Sequence, residues 1–129
     1  MEIQTLTLLS PIYYTSAEGD RFTESDPFNY RKQDGDKLYC FQLNENEYNN
    51  FEPDRETLLG QLVLSQVLPG GNYLFAQKRA ILYRDEIIDM AVEIQAEGLW
   101  QRLKPGKTLY LRYLFEDSSA VTQLYRPFL

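Results

Sequence analysis

The chain has no histidine, one cysteine, one tryptophan and only 13 basic side chains against 19 acidic ones in 129 residues. Without histidine, the commonest general base and a frequent metal ligand are both missing. A Ser-His-Asp triad, a Cys-His pair and a His-bearing zinc site are excluded outright. Cys40 stands alone, so no intramolecular disulfide can form, and a small chain lacking such staples is expected in a reducing, cytoplasmic setting. The shortage of bases leaves a formal charge of −6, which argues against binding a phosphate backbone. No apolar run approaches the ~18–20 residues that cross a bilayer. The start, Met1-Glu2-Ile3-Gln4-Thr5-Leu6, lacks the basic n-region and cleavage site of a signal peptide. A soluble protein with no membrane or nucleic-acid partner is the expectation.

What is present fits one domain over residues 1–129, with 43% apolar residues to build a core. Rings are plentiful, with 10 tyrosines and 7 phenylalanines. Charge is uneven: residues 1–65 hold 12 acids and 5 bases, net −7, and residues 66–129 hold 7 acids and 8 bases, net +1. An acidic front half either attracts a basic partner or keeps the surface solvated.

Glu2 to Leu9 reads as a strand ending at Ser10-Pro11, and 15–27 as a polar loop. Phe28–Gln33, Asp34-Gly35 and Asp36–Leu43 read as a hairpin about a type I′ turn. That register pairs Phe28 with Phe41 and Tyr30 with Tyr39, putting four rings on one face. The acidic stretch Asn44 to Gly60 includes a Pro53-Asp54 signal for a short helix. Gln61–Leu68 and Asn72–Arg79 read as strands about Pro69-Gly70-Gly71. Asp85 is a cap for a helix running to about Leu103, with Ile87, Ala91, Ile94 and Gly98 in one apolar stripe. Lys107–Glu116 and Ala120–Phe128 complete the chain as strands. Leu109, Leu111, Tyr113 and Phe115 alternate on the core face, and Tyr110, Arg112 and Leu114 on the other. The fold class is α+β, a mostly antiparallel sheet with one main helix in strand-helix-strand-strand order.

Several residues invite a chemical role. Hairpin pairing brings Gln123 and Tyr125 beside Tyr110 and Arg112, where an arginine among rings can clamp a carboxylate or stack on a planar ligand. The alternatives are an arginine paired with an acid such as Glu116, or one snorkelling on an exposed face. Phe28, Tyr30, Tyr39 and Phe41 either wall a pocket or form core under a helix. Trp100 falls at the wheel angle of Asp89, Glu93 and Ala96, where it can hold a cation or anchor a protein. Otherwise Gly98 ends or kinks the helix and turns Trp100 inward. Cys40 has no adjacent base to lower its pKa and reads as a small hydrophobe. No acidic spacing fits calcium, and Gly70-Gly71 opens a strand, unlike a phosphate loop. A hydrolase with Glu116 or Asp117 as base has no supporting nucleophile.

Leu68-Pro69-Gly70-Gly71-Asn72-Tyr73-Leu74-Phe75 resembles the segment that opens the second half of GyrI-like (gyrase-inhibitor-like) domains. Leu111 to Asp117 looks like that family's penultimate strand, and Thr122-Gln123-Leu124-Tyr125-Arg126-Pro127 is similar to its closing pattern. Lys37-Leu38-Tyr39-Cys40-Phe41 sits where the family has its middle strand, so the resemblance covers about residues 37–128. It implies two strand-helix-strand-strand modules around a central groove that binds small, flat, hydrophobic molecules. Tyr39, Phe41, Tyr110 and Arg112 match the groove strands. Near Arg112 the family often carries a cation-binding glutamate, so an anionic or neutral ligand fits this chain better.

The sequence therefore points to a non-enzymatic module, without cofactor or metal, that binds a small aromatic or amphipathic molecule. Its expected ligand-binding residues are Tyr39, Phe41, Tyr110, Arg112, Gln123 and Tyr125. The alternative is an acidic interaction or inhibitor protein acting through its N-terminal half and Trp100.

Overall fold

The computed structural model describes residues 2–14, 37–44, 58–60, 63–80, 82–116 and 119–129. In chain order these form β1 (Ile3–Leu8), β2 (Ile12–Tyr13), β3 (Lys37–Gln42), β4 (Val63–Leu64), β5 (Val67–Leu68), β6 (Gly71–Lys78), α1 (Arg84–Trp100), β7 (Thr108–Glu116) and β8 (Ser119–Phe128). Six strands make one antiparallel sheet in the order β1-β6-β8-β7-β3-β4, and β2 pairs with β5 in a small ladder of its own. Among the described residues the fold is α+β, one helix against a mostly antiparallel sheet, with β6-α1-β7-β8 in strand-helix-strand-strand order.

The helix follows its 3.6-residue stripe. Ile87, Ala91, Ile94 and Gly98 are all buried, as are Ile88 and Met90. They lie on Leu74 and Ala76 of β6, Leu124 of β8, and Leu109, Leu111 and Tyr113 of β7. The N-cap is Tyr83, which makes no side-chain capping bond. Asp85, expected at that position, stands inside the first turn beside Glu86, where carboxylates favour the helix dipole. The helix runs straight through Gly98, whose missing side chain admits Leu74 and Pro105: a Cβ there would meet Leu74 Cδ1 at 3.0 Å. Past Gln101, Arg102 turns left-handed at φ 57°, and Leu103 N–H bonds back to the Gly98 carbonyl at 3.0 Å. That is a Schellman stop, built without the usual glycine.

Polar groups pin the crossover from β6 into the helix. Thr122 Oγ1 donates to the Ala80 carbonyl at 2.6 Å and accepts from Leu82 N–H at 3.0 Å. The Tyr113 hydroxyl donates to the Leu82 carbonyl at 2.8 Å. The backbone groups of Ala80 and Leu82 are thereby satisfied by side chains from β7 and β8.

One expected strand changes, and two other expectations fall largely outside the described residues. The continuous strand expected over 61–68 is divided within its described part. Ser65 N–H bonds to the Leu38 carbonyl, and its hydroxyl donates to the Val67 carbonyl at 3.1 Å. Such local bonding competes with a ladder, and β4 stays on β3 while β5 turns away to β2. The first arm of the expected hairpin (28–33) and the short helix expected within 44–60 lie outside the described residues, save 44 and 58–60 of the latter. Tyr39 itself stands between Leu111 of β7 and Leu64 of β4.

Among the described residues no helix is long and apolar enough to cross a membrane.

Candidate functional site

Residues directly opposite in an antiparallel sheet share a face. Tyr39 is paired with Leu111 and Phe41 with Leu109, both of which lie under the helix. Tyr39 and Phe41 accordingly belong to the helix-side core, 2% and 1% exposed. The four expected residues from β7 and β8 point the other way. Tyr110 is paired with Tyr125, and Arg112 with Gln123. The proposed set is thus split by the sheet, with Leu38 and Cys40 of β3 beside Arg112 and Tyr110 where Tyr39 and Phe41 were expected. The reason is the period of two: neighbours along β3 face opposite ways, and all four are apolar enough for either side.

On the helix-free face, Tyr73, Tyr110 and Tyr125 meet edge to face. Tyr73 lies 6.3 Å from Tyr110 and 5.6 Å from Tyr125, centroid to centroid, and Phe75 lies 4.9 Å from Tyr125. Leu38 and Leu68 are buried with them, and Leu6, Leu8, Ile12 and Tyr14 pack around. Ile12 and Leu68 are partners in the small β2–β5 ladder, so that ladder covers part of this face.

A polar chain runs through the rings. The Tyr125 hydroxyl donates to Gln123 Oε1 at 2.6 Å, and Arg112 Nη1 approaches the same oxygen at 3.5 Å. Gln123 Nε2 donates to Gln77 Oε1 at 3.1 Å. The guanidinium carbon of Arg112 lies over the Tyr14 ring, 5.7 Å from its centroid. Burial raises the Tyr125 pKa, while the hydrogen bond and charge of Arg112 pull it down. Burial also raises Tyr110, Cys40 and Tyr73, the last to about 12 with help from Tyr110 and Tyr125. These groups stay neutral near pH 7 and act as hydrogen-bonding hydroxyls and apolar surface, and Cys40 is held as a thiol. The arrangement sets a guanidinium, a hydroxyl and a carboxamide among aromatic rings, groups whose chemistry suits an anion or a planar polar group.

Sequence reasoning missed Tyr14, Tyr73 and Gln77. Tyr14 carried no signal: Ile12, Tyr13 and Tyr14 are all apolar in sequence, and the alternation of exposure along them appears only in the fold.

A second locus lies across the sheet. Trp100 is 78% exposed, on the outer side of the helix and not turned inward. With Ile3, Glu93, Ala96 and Glu97 it lines an open hollow of about 540 Å³ between helix and sheet edge. Among the described residues no cluster of three or more His, Cys, Asp or Glu is placed to hold a metal ion. No family model matches the chain, and neither a curated protein nor a solved structure matches it.

Proposed function

We propose that the protein is a non-enzymatic binding module for a small aromatic or amphipathic molecule, anionic or neutral, recognised on the Tyr110–Arg112–Gln123–Tyr125 face. The observation that carries this reading is the Tyr14 ring on the Arg112 guanidinium at 5.7 Å. The face already accepts a planar phenol there, with the Tyr125 hydroxyl and Gln123 carboxamide in line beside it. A ligand ring takes up or extends that stacking, and its carboxylate or hydroxyl meets Arg112 and Gln123. The earlier resemblance to GyrI-like domains agrees in ligand type, and the lone Cys40 agrees with a cytoplasmic setting. No cofactor, membrane or nucleic acid enters this reading.

Calorimetric titration with a panel of planar aromatic carboxylates tests it, using the unaltered protein, Arg112→Gln and Tyr14→Gly. Binding that is lost in Arg112→Gln supports the proposal. If neither the unaltered protein nor the opened Tyr14→Gly variant binds any of the panel, the proposal is wrong.

Exposure of Trp100 beside Glu93 and Glu97 favours a second reading, an acidic protein-interaction surface. An aromatic anchor among carboxylates suits a basic partner.

A further inference from the structure

Among the described residues β1 ends the sheet and pairs with β6 alone. Its sequence, Ile3-Gln4-Thr5-Leu6-Thr7-Leu8, holds neither a charge nor a proline, so it lacks the usual devices that keep another strand from pairing with an edge. Among the described residues the opposite edge, β4, is two residues long. Six residues of regular ladder are enough for a seventh strand to add.

The hollow by Trp100 stands directly beside this edge. Ile3, which shares the helix-side face, is one wall; Glu93, Ala96, Glu97 and Trp100 form the other. Those four lie on one helix face at three- and four-residue spacing. Gln101 Nε2 holds Glu97 Oε1 at 2.6 Å, fixing one carboxylate next to the indole. A strand laid ~4.8 Å outside β1 directs alternate side chains to the helix side, where the one beside Ile3 enters the hollow. There it meets an indole face and two carboxylates, an environment complementary to a lysine or arginine.

We infer that this edge takes up an extended basic peptide segment of a partner protein, added as a strand beside β1 with a cationic side chain between Trp100, Glu93 and Glu97. Charge decides the occupant. A second copy of this chain would bring an uncharged β1 and the acid Glu2 against the same acidic hollow, and each copy carries a formal charge of −6. A basic peptide supplies the missing sign. Backbone hydrogen bonds give the affinity, and the Trp100 hollow selects the residue.

The inference rests on the interaction reading of Trp100, and the test separates the two. A dye-labelled peptide of alternating lysine and threonine is titrated into the protein by anisotropy at low salt. Controls are its glutamate counterpart and a version N-methylated at alternate amides, which cannot pair along a strand. Saturable binding by the lysine peptide alone is expected, weakened ~10-fold or more by Trp100→Ala and abolished by Glu93→Lys with Glu97→Lys. Equal binding of the N-methylated peptide overturns strand addition and leaves an acidic Trp100 surface. Failure of both lysine peptides, with no change in emission of the single tryptophan, overturns both. A β1-mediated dimer in sedimentation, abolished by Thr5→Pro, also overturns the inference.

Discussion

The guanidinium of Arg112, midway along β7, lies over the ring of Tyr14, which follows the two-residue strand β2 near the start of the chain. The contact joins the large sheet to the small ladder across the helix-free face. Tyr14 N–H also bonds to the Gln66 carbonyl at 2.7 Å, so the residue is held from the β5 side as well. One ring thus helps to close a second core and sits against the guanidinium of Arg112.

Removing that ring should trade stability for access. Tyr14→Ala is expected to lower unfolding free energy by about 1–2 kcal/mol, the worth of a half-buried aromatic and its cation contact, and to tighten binding of planar aromatic carboxylates. Urea denaturation and calorimetry read the two effects. A destabilised variant with unchanged or weaker ligand binding would show that Tyr14 supports the face without covering it.

High pH should unfold the protein through its tyrosines. Burial raises Tyr39 and Tyr73 to about 12 and Tyr113 higher still, against ~10 in an unfolded chain. Below ~10 both states keep these protons and the stability is fully present. As pH rises from there towards 12, the unfolded chain sheds phenol protons that the folded one retains, so stability falls. Phenolate absorbance should therefore lag in the native protein and jump on unfolding. Native and denatured titration curves that coincide would contradict the burial of these rings.

A buried arginine on the helix side should be sensitive to its neutral partner. Arg126 is 1% exposed; its Nη1 donates to the Oε1 of Gln95, itself 0% exposed, and its Nε donates to the Gly106 carbonyl at 2.9 Å. Gln95→Leu takes an acceptor from a charge that has no route to water, at an expected cost of about 2–4 kcal/mol. Gln95→Glu, which restores an acceptor, should cost less. A loss below ~1 kcal/mol in Gln95→Leu would mean that Gln95 is dispensable to Arg126.

Legibility followed how local each signal was. The Ile87–Ala91–Ile94–Gly98 stripe and the alternation through Leu109, Leu111 and Tyr113 are written in consecutive residues, and both appear as read. The pairing of β7 with β8 was legible too and brought Gln123 and Tyr125 to the region of Arg112, but the exact register was not, because Ser119 belongs to β8, opposite Glu116, and not to the connection. β3 was different. Leu38, Tyr39, Cys40 and Phe41 offer no polar face, so only its distant partner β7 settles which pair lies under the helix, and Tyr39 and Phe41 go there. Tyr14 reaches Arg112 from across the sequence through the small ladder, a pairing that no local pattern in either segment announces.

The helix stop offers a gain in stability. Arg102 is exposed and left-handed, φ 57°, a region that costs a residue with a Cβ about 1 kcal/mol or more and costs glycine almost nothing. Both Schellman bonds, from Arg102 N–H to Leu99 and from Leu103 N–H to Gly98, use backbone atoms and survive the change. Glycine forfeits part of the benefit through its greater freedom when unfolded. Arg102→Gly should therefore raise unfolding free energy by about 0.5–1 kcal/mol and shift the denaturation midpoint upward with an unchanged slope. A lower midpoint would mean that the arginine side chain contributes more at the helix C-terminus than its backbone conformation costs.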